Sequence, residues 1–490
     1  MALSTLLQGM AAVRHDVLLT DLTLDSREVR PGSAFLACRG ARRHGLDFAQ
    51  DVARRGAAAI VWEPDGVHRP PVLQSDIVVA EVPELSSHAS LLGDRFFSRP
   101  SQQLDVVGVT GTNGKTTCAW LLAQALTQCG KDAAYLGTLG SAFGGELVAG
   151  EMTTPDAITV QRELAGFRQR GARSVAMEVS SHGLVLGRVQ AVHFDAAVFT
   201  NLTRDHLDFH GDMTAYGAAK AGLFERDDVR LRVFNVDDAF GAALAARPQF
   251  AGRIACSQRE AAVPAQAPFL RARAIRFTAT GTDFELVSSC GDAHVSTALV
   301  GAFNVDNLLA VLAVLLGSGV SLSAAVAAVA TLRAPAGRLE VFAQPGRPMV
   351  VVDYAHTPDA LDKALQVLRR HCAGRLTAVF GCGGDRDRGK RPLMGAVAAR
   401  AADRIVLTND NPRTEDAAQI LADIRAGVGA AAVDVVPDRR LAIVQALETA
   451  VAGDVVLVAG KGHETYQIIG TESHYFSDQQ VVREFLQVAA

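Results

Sequence analysis

The chain has 490 residues, too many for one ordinary hydrophobic core, and about three domains is the natural division. Its 49% hydrophobic and 20% charged residues are those of a globular protein. A net charge of −4 excludes a broad basic surface for nucleic acid or acidic membrane.

The seven cysteines are odd in number and scattered, with no C-x-x-C pair, which suits a reducing compartment better than a disulfide scaffold. The opening "MALSTLLQGMAAVRHDV" lacks the basic stretch and long apolar core of a secretory signal, so a cytoplasmic protein is expected. A first segment, 1–98, ends at "SRPSQQ" (Ser98–Gln103), whose Pro and polar residues read as punctuation.

The second segment, 99–335, opens with an apolar β-run (Val106–Val109), a Gly-rich turn and the helical pattern "TTCAWLLAQALTQCG", closed by Gly130. The runs "SVAMEVSS" and "AAVFTNL" follow, each ending in polar residues. Leu308–Leu332 carries no charge and is long enough for a membrane span, but "GSG" (Gly317–Gly319) breaks it. With Ser321 or Ser323 as a cap, it predicts two buried helices.

"RAPAGR" (Arg333–Arg338) marks the next boundary. The third segment, 336–490, alternates apolar strands with helices through "PMVVVDYAHT", "RLTAVFGCGG", "DRIVLTNDNPRTED" and "DVVLVAGKGHE". Continuous apolar strands between helices predict parallel sheets covered on both faces, with ligands beyond the strands' carboxyl ends. The expected fold is α/β in three domains: a smaller N-terminal α/β domain, a central P-loop ATPase-type parallel sheet and a C-terminal Rossmann-like sheet.

"GVTGTNGKTT" (Gly108–Thr117) departs from the usual phosphate-loop spacing G-x-x-x-x-G-K-[ST], because position 109 is Val109. Gly111 and Gly114 still free the turn, and the strand–loop–helix setting is the required one. Backbone N–H groups and the helix N-terminus can face an anion, Lys115 can reach terminal phosphates and a Thr hydroxyl can hold Mg²⁺. Glu178, near a strand end in "AMEVSSHGL", is a candidate Mg²⁺ ligand. "FTNLTRDHLDFHG" (Phe199–Gly211) crowds Asp205, His206, Asp208 and His210. Three readings stay open there: an i, i+4 zinc pair with no third ligand in register, a polar capping cluster, or Mg²⁺–nucleotide work.

These stretches resemble the Mur ligases of bacterial cell-wall synthesis. "GTNGKTT", "EVSSHGL" and "NLTRDHLDFHG" look like that family's central ATPase domain, and the odd glycine spacing is its own form of the loop. "LTLDSREVRPGSAFLACRG", "GAFNVDNLLAV", "AGRLEVF", "VVDYAHTPDAL", "GCGGDRDRGKRP", "DNPRTED" and "GKGHETYQ" also follow in family order, over nearly the whole chain.

The resemblance implies ATP-driven amide formation between UDP-N-acetylmuramoyl-L-alanyl-D-glutamate and meso-diaminopimelate through an acyl phosphate, by a monomer working with Mg²⁺. On this pattern Gly111, Thr112, Asn113, Gly114, Lys115, Thr116 and Thr117 cradle ATP, with Asn304, Arg338 and Asp353 as further contacts. Thr116, Glu178, His206 and a carbamylated Lys220 (N6-carboxylysine) hold metal; Lys115, Lys220, His206 and Arg338 serve catalysis. Leu24, Ser26, Ala41, Arg42, Arg43, Thr153, Thr154, Ser180 and Arg188 match the uridine-nucleotide site. Met152 and Leu186 depart from it, since relatives often carry polar amides there.

Arg386, Asn411, Pro412, Arg413, Thr414, Gly460 and Glu464 match the amino-acid site. There Arg413 suits the second carboxylate of diaminopimelate, and Glu464 suits an ammonium group. Two rivals remain: a folylpolyglutamate synthetase-like or lysine-adding ligase, and a nucleotide-dependent binding protein without catalysis.

Overall fold

A computed structural model describes residues 1–40, 43–70, 72–73, 76–259, 268–278, 280–344 and 346–487. The fold is α/β, with parallel sheets in three domains. By internal contacts the chain forms two compact units, the first from Met1–Ala255 and the second mainly from Phe269 onward.

The first unit begins with four parallel strands in chain order: β1 (Asp21–Thr23), β2 (Ser33–Ala37), β3 (Ala59–Trp62) and β4 (Val78–Glu81). Every residue of β2 and β3 is buried, which is why both read as unbroken apolar runs. Leu36 and Val61 face one core with Leu92, while Phe35 and Ile60 face another with Val52. The "SRPSQQ" punctuation is packed. Pro100–Gln103 forms a 3₁₀ turn, and buried Ser101 accepts the His193 N–H at 3.0 Å.

The unit's second sheet contains β5 (Asp105–Thr110), β6 (Ala133–Gly137), β7 (Gly140–Phe143), β8 (Glu146–Val148), β9 (Ser174–Glu178), β10 (Ala196–Phe199) and β11 (Leu231–Asn235). Their order is β11-β10-β5-β9-β6-β7-β8. The first five are parallel, and β7 and β8 return antiparallel. The registers Val109↔Glu178 and Thr110↔Phe199 bring the carboxyl ends of β5, β9 and β10 level with one another. β12 (Arg253–Ser257) follows where the division between units falls.

In the second unit β13 (Phe269–Thr278), β14 (Gly281–Ser288) and β15 (Ala293–Thr297) form an antiparallel meander. The uncharged stretch becomes two helices, Ala302–Gly317 and Leu322–Ala330, and Ser321 caps the second by accepting the Ala324 N–H. Among the described residues no helix is long and apolar enough to cross a membrane.

The final sheet holds β16 (Glu340–Phe342), β17 (Met349–Asp353), β18 (Leu376–Phe380), β19 (Arg404–Leu407), β20 (Val433–Val435) and β21 (Val455–Ala459). Its order is β16-β17-β21-β18-β19-β20, all parallel except β16. Alternate residues feed two cores: Val351, Phe380 and Leu457 on one face, Val350, Val379 and Val456 on the other. A hairpin, β22 (Tyr466–Ile469) and β23 (Glu472–Tyr475), follows.

Candidate active site

The phosphate loop sits between β5 and the helix Lys115–Gln128. Gly111 has φ +148°, and a Cβ there would lie 1.9 Å from Thr200 Oγ1, so the position demands glycine. Gly114 opens the helix at φ +84°. The chain after β10 staples the loop. Thr112 N–H donates to the Asn201 carbonyl at 2.8 Å, and Asn113 N–H donates to Asn201 Oδ1 at 3.0 Å. Thr200 Oγ1 donates to the Asn113 carbonyl at 2.6 Å, and Thr203 N–H donates to Thr112 Oγ1 at 3.0 Å. Sequence reasoning flagged the acids and histidines of this stretch and missed Thr200, Asn201 and Thr203. Their signal was the short polar run "TNLT" directly after an apolar strand.

Lys115 Nζ donates to the carbonyls of Gly111 (3.0 Å) and Thr112 (2.8 Å). Lys220, only 1% exposed, donates to the same Gly111 carbonyl at 2.7 Å and stands over the Tyr216 ring. Burial, then the charge of Lys115, pulls the Lys220 ammonium down to about 7; burial lowers Lys115 as well. Among the described residues neither amine has an ion pair. Two poorly solvated cations therefore meet at one glycine carbonyl.

Glu178 ends β9, fully buried. Its Oε1 accepts Tyr135 O–H (2.6 Å) and Thr138 N–H (2.8 Å), and its Oε2 accepts the hydroxyls of Thr116 (2.9 Å) and Thr138 (3.2 Å). A Cβ at Gly137 would lie 2.2 Å from Oε1, so that glycine makes room for the carboxylate. These oxygen atoms, with no cation paired to Glu178 among the described residues, fit a hard ion such as Mg²⁺.

The residues expected at the uridine nucleotide adjoin that group in this unit. Thr154 Oγ1 bonds the Glu178 carbonyl and Ser180 N–H, both at 2.9 Å, Ser180 caps a short helix, and Arg188 donates to the Thr154 carbonyl at 2.7 Å. Thr153 accepts from Thr138 Oγ1 at 3.0 Å. Met152 and Leu186 are exposed. Leu24 and Ser26 follow β1 half-buried, Arg43 lies 6.0 Å from the Phe48 ring, and Ala41 and Arg42 lie outside the described residues.

His206, exposed and at φ +52°, opens the short helix Leu207–His210. His210 Nε2 bonds Ser181 Oγ at 2.9 Å. His182 packs against both histidine rings, and Tyr216 lies between His206 and Lys220. Burial, followed by the neighbouring charges, lowers His182 and His210, which keeps both neutral near pH 7. Among the described residues His182, His206 and His210 do not bring their ligand atoms within 4.8 Å of one another. The grouping with ligand spacing is elsewhere, at His44, Asp65 and His68. Both nitrogens of His44 are already bonded to the backbone there, to Leu46 N–H and the Glu63 carbonyl.

In the second unit Asn304 is buried and bonded to the Val300 carbonyl and Asn307. Asp353 ends β17; its oxygens accept Leu339 N–H (2.7 Å) and Ala355 N–H (2.9 Å), and burial raises its pKa. The Arg338 guanidinium stacks 5.4 Å from the Tyr354 ring, with Nε buried and unpaired.

The loops after β18, β19 and β21 bring the amino-acid candidates together. Asn411, 2% exposed, donates from Nδ2 to Glu464 Oε2 at 3.0 Å and accepts at Oδ1 from Lys461 Nζ and Ile468 N–H, each at 3.0 Å. Arg413 (φ +52°) donates from Nη1 to the Gly384 carbonyl at 2.8 Å, and its own N–H donates to the Ile468 carbonyl at 3.1 Å. A Cβ at Gly384 would meet the Pro412 carbonyl at 1.9 Å, and one at Gly460 would meet Asp410 Oδ2 at 2.6 Å.

Thr414 bonds Asp385, whose N–H goes to Glu415, and Glu415 pairs with Arg388 and with fully buried Arg391. The guanidinium of Arg391 holds the Glu415 carboxyl below its ordinary range. Arg386 stays exposed, bonded among the described residues only to the Asp385 carbonyl. Lys461, Asp385, Glu415 and Arg391 were not read from the sequence, although "GKG" after an apolar strand was a usable signal for the first.

Comparison with known proteins defines the class. Residues 19–91 match the Mur ligase family catalytic domain, 109–315 the Mur ligase middle domain and 337–462 the Mur ligase glutamate ligase domain. The chain belongs to the Mur ligase family. It is 49% identical, over 95% of its length and 94% of the relative's, to a UDP-N-acetylmuramoyl-L-alanyl-D-glutamate--2,6-diaminopimelate ligase of Pseudomonas aeruginosa. It is 44% identical, over 99% of both chains, to a Haemophilus influenzae protein of the same name. A solved structure of a ligase of that name matches with a TM-score of 0.73 and 36% identity, covering 96% of this chain and 95% of that one.

Proposed function

We propose that this ligase joins meso-diaminopimelate to UDP-N-acetylmuramoyl-L-alanyl-D-glutamate at the expense of ATP, making a peptidoglycan precursor in the cytoplasm as a monomer. The observation that carries the chemistry is the Lys115 ammonium on the Gly111 carbonyl of the phosphate loop, with the Lys220 amine held at the same carbonyl. A poorly solvated Lys115 ammonium, without a carboxylate partner among the described residues, suits a ligand that brings several negative charges.

The carboxylate of the dipeptide attacks the γ-phosphoryl group, giving an acyl phosphate and ADP. The free amine of the acceptor then attacks the acyl carbon, and phosphate leaves as the amide forms. In this reading Lys115 and the N–H groups of Gly111–Thr117 hold the phosphates, with Asn304, Arg338 and Asp353 as proposed ATP contacts. Mg²⁺, when bound, would neutralise phosphate charge; Thr116, Glu178, His206 and a carbamylated Lys220 would hold it.

The lowered pKa of Lys220 supplies the neutral amine that carbamate formation needs. Leu24, Ser26, Arg43, Thr153, Thr154, Ser180 and Arg188 are proposed for the uridine nucleotide. Arg386, Asn411, Arg413, Thr414, Gly460 and Glu464 are proposed for the amino acid. The domain boundaries proposed with this reading are 1–98, 99–335 and 336–490.

The test is one ligation assay with the uridine dipeptide, ATP and Mg²⁺, comparing meso-diaminopimelate, lysine and, on a folate substrate, glutamate. Preferred use of diaminopimelate is the expected outcome. Preference for lysine or for the folate substrate would overturn the assignment.

A further inference from the structure

Lys461 lies two residues past the end of β21 and is fully buried. An ammonium group out of water is costly unless its protons are taken up by well-placed acceptors. Its Nζ donates to Asn411 Oδ1 at 3.0 Å and Glu464 Oε2 at 3.2 Å, and lies 5.5 Å from the centre of the Tyr466 ring.

Two consequences follow from which atoms it touches. With Lys461 and Ile468 N–H both donating to Asn411 Oδ1, the amide cannot flip, and its NH₂ must face Glu464 Oε2. Glu464 Oε2 therefore receives two donors, while among the described residues no hydrogen bond reaches Oε1. The Glu464 side chain is 17% exposed, so a ligand can approach that free oxygen.

We infer that Lys461 is a positioning residue for the incoming amino acid: it locks Asn411 and one oxygen of Glu464 so that the other oxygen receives the ammonium group of the acceptor. This rests on the reading that gives Asn411 and Glu464 to the acceptor. Without Lys461 the carboxylate keeps only the Asn411 amide and that amide oxygen only Ile468 N–H, so the acceptor meets a less firmly held partner.

Steady-state kinetics on the full chain test it with Lys461→Met, Glu464→Gln and the double variant. Lys461→Met should raise KM for the acceptor about ten- to a hundredfold, the weight of a hydrogen bond to a charged group. KM for ATP and for the uridine nucleotide should stay within about twofold, because a local loss spares ligands bound elsewhere. The double variant should be no worse than the poorer single one, since both act through the same carboxylate.

Losses that multiply, or nucleotide KM values rising in step with that of the acceptor, would overturn the proposal. If Lys461→Met does not fold, Lys461→Gln carries the test, with the same split expected; an unchanged acceptor KM would overturn it. Diaminopimelate and lysine each keep a second amine besides the one that attacks, so the pattern is read on whichever of the two the parent uses. A parent that takes lysine alone would sink the substrate assignment and leave this comparison intact; calorimetric binding of the acceptor gives it where turnover is absent.

Discussion

At the phosphate loop Lys115 and Lys220 give their protons to backbone carbonyls, whereas Arg391, Arg439 and Lys461, all buried in the second unit, face carboxylates. The difference follows from what each region would receive. ATP and an acyl phosphate bring a surplus of negative charge, so an unpaired cation such as Lys115 is stabilised there only when the ligand arrives. An amino acid brings both signs, and a site for it must be neutral as a whole and exact in geometry, which paired charges provide. The first region stores unfavourable electrostatics and the second stores order.

Lys115→Ala tests the first half of that contrast and carries the largest expected effect. Removing the cation strips stabilisation from the transferring phosphoryl group, and kcat/KM should fall by about 10³-fold or more. The fold should survive, because only two carbonyl hydrogen bonds go with it. A folded variant with near-normal turnover would mean that the loop does not hold phosphate.

Arg413→Ala tests the second half. If its guanidinium grips the second carboxylate of diaminopimelate, the loss is about 2–5 kcal/mol, roughly thirty- to several-thousand-fold in kcat/KM. Poor use of lysine, which lacks that carboxylate, should change far less, and affinity for the nucleotides should hold. Equal losses for both amino acids would show that Arg413 only braces its loop, through the Gly384 carbonyl and the Ile468 backbone.

How much of this was legible beforehand differs between the same two regions. The phosphate loop is one contiguous run, and a strand read at Val106–Val109 is observed as Asp105–Thr110 with its helix beginning at Lys115. Local patterning also gave the two Ala-rich helices and offered Ser321 or Ser323 as the cap, of which Ser321 is observed. Strand order was out of reach, because the register joining β5 to β9 and β10 sets residues about 70 to 90 positions apart side by side. The antiparallel meander β13–β15 was missed for another reason. Alternating polar residues such as those of "FLRARAIRFT" mark a sheet with one wetter face, unlike the apolar runs that signal a parallel one. The proposed amino-acid site draws on three strand ends, so only the family resemblance gathered its members. Lys461 and Glu415, which act on those members, had no motif of their own.

Lys220 offers a smaller effect, read in stability. Its amine is lowered to about 7 in the folded chain and returns to the ordinary lysine value on unfolding. Between those values the unfolded chain binds more protons, so stability should rise with pH from about 7 upward, at up to about 1.4 kcal/mol per unit. Lys220→Met should lose that slope in carbon-dioxide-free urea titrations. A parent whose stability is flat over this range would show that the amine is not poorly solvated. The same variant should be nearly inactive, with partial rescue by short carboxylic acids that replace the carbamate oxygens.

The smallest effect expected is at Tyr135. Its hydroxyl donates to Glu178 Oε1 at 2.6 Å and accepts Leu139 N–H at 3.3 Å, while its ring packs edge-on to Trp120. Tyr135→Phe keeps the ring and deletes one of four donors to a carboxylate that Thr138 N–H and the Thr116 and Thr138 hydroxyls still hold. The loss should be about 1 kcal/mol, or roughly fivefold in kcat/KM. It should appear as a higher Mg²⁺ requirement, because a looser Glu178 is a poorer oxygen ligand. A loss as complete as that of Lys115→Ala would mean that one hydroxyl, and not a shared set, orients Glu178. No change at limiting Mg²⁺ would mean that Glu178 does not face the cation, and the contrast between a region built to receive charge and one built to pair it would lose its first term.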